Sequence, residues 1–128
     1  MSRDLNRVMI IGTLGRDPEM RYTPSGKAVL TFSVAVSHSW TTAEGQHRDT
    51  VQWFNVVAWG NLAETCKKLL GNGSRVYVEG HLQTRTWEGE DNQRHFRTEL
   101  VASRMIALNA REETGRLSNQ PEGESSTY

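Results

Sequence analysis

Residues 51–60 read VQWFNVVAWG, a stretch dominated by apolar and β-branched residues that ends on a glycine. This composition is typical of a β-strand. Side chains alternate between the two faces of a strand, which puts Trp53 and Trp59 on one face and Phe54 and Val56 on the other. A strand in the wall of a small domain turns only one face toward the core, so the outward tryptophans need an explanation other than packing.

The same reasoning outlines four further strands around this one. The five predicted strands cover residues 5–14, 28–38, 51–60, 74–87 and 94–108. Between the third and fourth strands the period changes, and Leu62, Cys66 and Leu69 form a helical stripe. Asn61 is a favourable N-cap for this helix, and Glu64 completes a capping box. Five strands with one short helix between strands 3 and 4 predict an all-β, five-stranded OB-fold barrel; a generic α+β sheet is the alternative that element order leaves open.

The apolar face of each strand is predicted to form the core. The core positions are Val8, Ile10, Leu14, Ala28, Leu30, Phe32, Val34, Val36, Val76, Val78 and Leu82. Pro18 predicts a turn after strand one, because proline cannot donate to a central ladder. Met9 and Ile11 point away from the core, as does Tyr77, and these three are expected to lie in a contact between subunits.

The chain of 128 residues is predicted to form one domain, residues 1–110, and a tail, residues 111–128. The domain carries 13 Lys/Arg against 11 Asp/Glu, and the tail carries 2 against 4. The tail is polar apart from Leu117, which predicts a disordered acidic segment. Cys66 is the single cysteine, which suits a reducing compartment. No stretch approaches the ~18 apolar residues of a membrane span, so we expect a cytoplasmic protein without membrane contact.

Aromatic and basic residues point to nucleic acid. The four tryptophans, Trp40, Trp53, Trp59 and Trp87, are predicted at strand ends or on the non-core face. Aromatic rings beside cations form a surface on which bases stack while phosphates are neutralised. The basic residues expected to contribute are Arg3, Arg7, Arg21, Arg48 and Arg85, the last on the same face as Trp87. A contact between subunits is the alternative explanation for outward aromatics.

Other chemistry finds little support in the sequence. The histidines, His38, His47, His81 and His95, lack metal-ligand spacing, and one cysteine makes no zinc site. Residues 12–19, GTLGRDPE, have glycines without the Gly-Lys-Ser/Thr ending of a P-loop. No nucleophile–base pair stands out. We therefore expect a binding protein rather than an enzyme, with no cofactor and no metal.

Several long stretches resemble bacterial single-stranded DNA-binding proteins. They are LNRVMIIGTLGRDPEMRYTPSGKAV, SHSW, QWFNVVAWGNLAE and GSRVYVEGHLQTRTW, which fall in the family's order between residues 3 and 108. The resemblance implies an OB fold, a homotetramer, and wrapping of single-stranded DNA without sequence preference during replication, recombination and repair. It matches the family's stacking aromatics to the four tryptophans, and it implies that strand one pairs across a subunit interface.

The chain departs from that family in two ways. Asn55, Asn61, Asn72 and Gln83 stand where members often carry basic residues, which implies fewer phosphate contacts and a weaker salt dependence. The end, PEGESSTY, also lacks the acidic tip with a Pro-Phe terminus that recruits repair and replication proteins, which leaves recruitment by this tail open. From the residues themselves, an RNA or oligosaccharide binder and an assembly module with interfacial aromatics remain alternatives.

Overall fold

Six strands and one helix make up the part of the chain that the computed structural model describes, residues 3–108. They are β1 (Val8–Leu14), β2 (Glu19–Tyr22), β3 (Ala28–Thr41), β4 (His47–Trp59), α1 (Gly60–Leu69), β5 (Arg75–Glu88) and β6 (Arg94–Ala107). The predicted disordered tail, residues 111–128, lies outside the described residues. No helix within residues 3–108 has the length and apolar character needed to cross a membrane.

Five of the strands close into a ring. They follow the order β1-β5-β6-β4-β3, and β3 returns to β1 where Thr13 faces Ala35. The β4–β6 pair is parallel, with Val56 opposite Leu100, and the other pairs of the ring are antiparallel. The helix α1 connects β4 to β5, which are the third and fourth ring strands in chain order. This arrangement confirms the predicted five-stranded OB barrel with a single short helix.

β2 is a strand that the sequence did not predict. It pairs with β3 along its whole length, from Glu19 opposite Thr31 to Tyr22 opposite Ala28. Pro18, which indicated a turn, lies immediately before the strand, where its missing N–H interrupts no ladder bond. β2 is therefore a short edge strand beside the ring, and it widens the outer face of β3 and β4.

The core follows the predicted alternation closely. The buried apolar side chains include Ile10, Leu14, Leu30, Phe32, Val34, Val56, Ala58, Val76, Val78 and Leu100. Leu82 was predicted in the core and is 41% exposed. It follows a bulge at Glu79 and Gly80 that shifts the register of β5 against β6, beyond which most β5 side chains are exposed. Alternation gives the inward face of a strand but does not mark where that strand leaves the barrel.

The start of α1 also differs from the prediction. The helix begins at Gly60, Trp59 is the capping residue, and no side chain caps the first turn, so the Asn61–Glu64 capping box was wrong. Gly60 has a φ of 62°, in the left-handed region that glycine enters without a steric cost. This lets the chain pass from strand to helix without an intervening loop. The buried residues after that turn are Ala63, Cys66 and Leu70, whereas Leu69 is 49% exposed.

Two hairpins extend past the barrel. We call residues 37–51 the β3–β4 arm and residues 81–98 the β5–β6 arm; nearly all side chains in both are exposed. The ladder of the first continues to Thr41 opposite His47, and that of the second to Glu88 opposite Arg94. Both arms project from strands that also form the ring.

Candidate nucleic-acid interface

Trp53 and Trp59 project from the same outer face of β4. Their side chains are 54% and 41% exposed, as predicted from their position in the strand. They are six positions apart along the extended strand, a distance of about 20 Å. Trp53 lies opposite Ala35 of β3, and Trp59 lies opposite Val29. The two indoles therefore mark the ends of one continuous stretch of sheet surface.

Trp53 packs against Gly15, the residue that follows β1. A Cβ atom at position 15 would lie 2.7 Å from Cη2 of the indole, so only glycine leaves room for this ring position. The nearby backbone is fixed by a hydrogen bond from Gly15 N–H to the Ser33 carbonyl at 3.3 Å. The ring is thus supported on one side and open to solvent on the other, as a stacking platform requires.

Trp59 has cations beside it. The Lys27 ammonium lies 5.3 Å from the centroid of the indole ring, within range of a cation–π interaction. Arg21 of β2 and Trp59 of β4 both lie opposite Val29, one on each side of it. A base stacked on this indole would therefore bring its phosphate close to positive charge.

A polar groove of about 320 Å³ lies on the sheet surface, and its lining includes Asn55 and Val57, which stand between the two tryptophans along β4. Its floor includes Thr31, Ser33, Asn55 and Val57 of β3 and β4. Its charged lining consists of Arg16, Arg21, Arg85 and Arg97 together with Asp17, Glu19 and Glu99. Arg21 and Arg85 were predicted site residues, whereas Arg16 and Arg97 were missed. Arg97 lies opposite Arg85 and shares its face of the sheet, and this position could have indicated it as a site residue.

Arg85 and Arg97 come from adjacent strands and are held in different ways. They face each other across β5 and β6. The Arg85 Nε lies 3.5 Å from Oε2 of Glu99, whose side chain is 11% exposed. The Arg97 Nη2 donates to Oδ1 of Asn55 at 3.1 Å. One guanidinium is therefore paired with a carboxylate and the other with a neutral amide.

Trp87 stands near the end of the β5–β6 arm and is 40% exposed. The Arg85 guanidinium lies 4.7 Å from its ring centroid, and His95 stacks on it at 5.5 Å with an interplanar angle of 24°. His95 Nε2 lies 3.2 Å from Asp91. Hydrogen bonds from the Gln93 N–H and from His95 lower the pKa of the Asp91 carboxyl. The arm thus holds its tryptophan in a stack of polar and charged neighbours.

Trp40 stands apart from the other outward tryptophans. It is 43% exposed, in the β3–β4 arm, and by alternation it is on the opposite face of the sheet from Trp53. It stacks on His38 at 5.4 Å and lies opposite Arg48, whose Nη2 donates to Gln46 at 2.8 Å. Trp40 and Arg48 are thus near each other but away from the groove.

Arg7 and Arg3 do not line the groove. Arg7 donates to Glu79 at 3.1 Å on the outer face of β1 and β5, and Arg3 is exposed ahead of β1. On that outer face Ile11 lies opposite Tyr77, and Tyr77 lies opposite Ile106. The apolar side chains Met9, Ile11 and Ile106 are 62%, 41% and 40% exposed there. We call this surface the β1–β5–β6 patch.

Glu79 is the polar centre of the β1–β5–β6 patch. Its carboxylate accepts a hydrogen bond from the Tyr77 hydroxyl at 2.7 Å as well as the Arg7 bond, and Arg104 lies 4.0 Å away. The bond to Glu79 is the main reason that the pKa of Tyr77 is raised. The patch therefore combines exposed apolar side chains with an internally satisfied polar cluster.

The described residues offer little for metal binding or for thiol chemistry. Across residues 3–108 there is no cluster of three or more His, Cys, Asp or Glu side chains suited to a metal ion. Cys66 is fully buried in α1, and burial raises the pKa of its thiol to about 11. A protonated, inaccessible thiol is a poor nucleophile. The groove and its aromatic rings are therefore the main candidate site.

The family model described as the single-strand binding protein family matches residues 5–108. Single-stranded DNA-binding protein 1 of Chlorobaculum tepidum is 41% identical over 116 residues, which cover 90% of this chain and 72% of that protein. The single-stranded DNA-binding protein of Neisseria meningitidis serogroup A is 42% identical over 109 residues, which cover 85% and 63%. The chain thus spans less than two thirds of the Neisseria protein.

Two solved structures share the fold. The Plasmodium falciparum SSB in complex with ssDNA has a TM-score of 0.76 and 31% identity, covering 84% of this chain and 98% of that one. A deletion mutant of the single-stranded DNA binding protein from Thermus aquaticus has a TM-score of 0.74 and 35% identity, covering 91% and 54%. Sequence and structure comparisons thus agree on the barrel as the shared unit.

Proposed function

This chain belongs to the single-strand binding protein family, and we propose that it binds single-stranded DNA across the outer face of β3 and β4. The observation that carries the proposal is the placement of Trp53 and Trp59 at the two ends of a groove lined by arginines. Solved and curated relatives named for single-stranded DNA binding support it. The activity is binding alone, with no bond made or broken.

The proposed mechanism uses stacking and charge together. Bases stack on the exposed faces of Trp53 and Trp59, while the strand between them crosses the groove and its phosphates meet the guanidinium groups there. Every base has a π-face, so this arrangement tolerates any sequence. Duplex DNA keeps its bases paired and stacked inside the helix, so it cannot use the indoles. Protection of unpaired DNA during replication, recombination and repair is the role that follows.

Assembly into a homo-oligomer, most simply a tetramer, is part of the proposal. The β1–β5–β6 patch supports it, because exposed apolar side chains grouped on one sheet face mark association surfaces. The patch lies away from the groove, so subunits could join there without covering Trp53 or Trp59. Several barrels in one particle would offer a long strand several groups of stacking residues. A cytoplasmic location completes the proposal.

Tryptophan fluorescence tests the proposed function directly. Saturating oligo-dT is expected to quench much of the tryptophan emission, because a base stacked on an indole quenches its fluorescence. Unlabelled single-stranded DNA, single-stranded RNA and duplex DNA are then compared as competitors for one labelled oligo-dT. Single-stranded DNA should compete best and duplex worst. Unchanged emission with saturating oligo-dT contradicts the stacking mechanism, and stronger competition by RNA reassigns the ligand.

A further inference from the structure

We propose that Arg97 supplies an uncompensated positive charge in the groove and that Asn55 is the positioning residue that aims its guanidinium at a phosphate. The inference rests on the proposed function and names one cation of the groove together with the neutral side chain that holds it. It concerns two side chains from strands far apart in sequence, which the fold brings to hydrogen-bond distance.

The charges in the lining nearly cancel. Four arginines face three carboxylates there, which leaves a net charge of +1. Arg85 is close to electrically satisfied, since Glu99 lies 3.5 Å from its Nε and is largely shielded from water. A phosphate that approaches Arg85 therefore also meets the negative charge of Glu99. This pair is poorly suited to exchange a counterion for a phosphate.

Arg97 is in a different electrostatic setting. Its Nη2 donates to the Asn55 amide oxygen at 3.1 Å, and no carboxylate within residues 3–108 forms an ion pair with it. A neutral acceptor fixes the guanidinium without cancelling its charge. Guanidinium has five N–H donors, so most remain for a phosphate, which it can bind in a bidentate manner.

Asn55 also fixes where this charge lies along the strand. It stands two residues after Trp53 and four before Trp59, on the outer face that carries both indoles. A guanidinium held at Asn55 therefore lies over the middle of the proposed path, between the two stacking platforms. A neutral side chain at position 55 does not by itself mean a missing phosphate contact, because the guanidinium of Arg97 on β6 lies at the same place.

The salt dependence of oligo-dT binding tests the role of Arg97. We expect Arg97→Gln to make the slope of log K against log salt shallower by about 0.7, the contribution of one phosphate on a single strand. Across a tenfold salt range that change corresponds to about a fivefold loss of affinity at the low-salt end. Arg97→Lys should restore the slope, since it keeps the charge.

Arg94→Gln is the matched control. It makes the same change of charge on the same strand, three residues away, and alternation puts the side chain on the opposite face of the β5–β6 arm. Its slope should equal that of the unaltered chain. Both arginines are exposed, so both variants should melt at the temperature of the unaltered chain, which thermal unfolding verifies.

Two further variants test the positioning by Asn55 and the pairing of Arg85. Asn55→Asp places a carboxylate against Arg97 and should reproduce the shallower slope of Arg97→Gln while leaving Arg97 in place. Glu99→Gln removes the carboxylate beside Arg85 and should steepen the slope by about 0.7, because a second arginine becomes available to phosphate. A purely structural role for either side chain would change the melting temperature and leave the slope unaltered.

The outcomes separate the inference from the proposed function. If the unaltered chain does not bind oligo-dT at any salt concentration, the proposed function is wrong. If it binds and Arg97→Gln keeps both its affinity and its slope, the inference alone is overturned. A shallower slope for Asn55→Asp with an unchanged slope for Arg97→Gln also overturns it, since the effect then comes from the new carboxylate rather than from neutralising Arg97.

Discussion

Single side chains set what the groove can bind, and Trp53 and Trp59 are the most informative of them. Each is roughly half exposed, so its removal takes little from the core. We expect Trp53→Ala and Trp59→Ala to weaken binding of oligo-dT by about 1–3 kcal/mol each, the usual value of one base–aromatic stack. The measurement is a fluorescence-anisotropy titration at fixed salt, with thermal unfolding run alongside.

The control for these variants is Phe96→Ala. Phe96 is 67% exposed on the β5–β6 arm, and alternation puts it on the face opposite Arg97. Its removal should leave the affinity for a short oligo-dT unchanged. Equal losses in all three variants would attribute the effect to general loss of aromatic surface, and a lowered melting temperature for Trp53→Ala would place that side chain in the core.

Cys66 predicts a specific alkaline loss of stability. Burial raises the pKa of its thiol from 9.0 to about 11, so the unfolded chain loses this proton first as the pH rises. The free energy of unfolding should therefore be unaffected by this group below pH 9 and should fall between about pH 9 and 11. At 1.36 kcal/mol per pKa unit, the total loss in the free energy of unfolding is roughly 2–3 kcal/mol.

Denaturant unfolding at a series of pH values measures that loss. The variant Cys66→Ala has no thiol, so its stability should decline less across the same interval than that of the unaltered chain. Both chains share all other titrating groups, and only the difference between them reports on Cys66. An equal decline of the free energy of unfolding in the two chains would contradict a raised pKa for the Cys66 thiol.

At the scale of single elements, Gly80 sets the path of β5. It lies at the bulge where the register against β6 shifts, and a Cβ atom there would collide with the carbonyl oxygen of Val101. Gly80→Ala must push the two strands apart, so we expect a loss of about 1–3 kcal/mol, as for other overpacked sites. Gly71→Ala, whose Cβ would meet only Asp17 at 3.4 Å, should be nearly neutral by the same thermal unfolding assay.

Alternation in the sequence predicted the ring strands well, because each of them has one buried face. Phe54 and Val56 face inward and Trp53 faces outward, as their positions in the strand require. Leu82 could not be placed this way, since it lies where β5 extends past the barrel into the β5–β6 arm. The start of α1 was misplaced because Gly60 turns the chain without a side-chain cap. Local signals thus identify elements better than their ends.

The candidate site was only partly predictable, because it depends on contacts distant in sequence. The outward tryptophans follow from periodicity within single strands. The bond between Asn55 and Arg97 joins residues 42 positions apart, and no local pattern links them. Nor does any local pattern explain why Gly15 is needed beneath Trp53, since that contact depends on the β1–β3 closure. Tertiary contacts complete a site whose stacking residues are visible in the sequence.

For the whole molecule, the β1–β5–β6 patch predicts the state of assembly. Ile11→Glu places a charge among exposed apolar side chains and should shift the particle toward the 14.5 kDa monomer at micromolar concentration. Light scattering with size-exclusion chromatography measures this. Leu69→Glu changes a similarly exposed leucine on α1 and should leave the particle mass unaltered. An unaltered chain that is already monomeric, or equal effects of the two variants, would contradict a role for this patch.

The closure of the ring also determines when the chain can fold during its synthesis. β1 is made first, yet its longest pairing is with β5, where Val8 lies opposite Gly80. β6 is the last strand of the ring to be made, and it separates β5 from β4. Pairings so distant in sequence form slowly, and exposed apolar segments attract other chains meanwhile. On the ribosome, the inward side chains Val8 and Ile10 of β1 are therefore expected to stay uncovered, and open to chaperones, until β6 has left the exit tunnel.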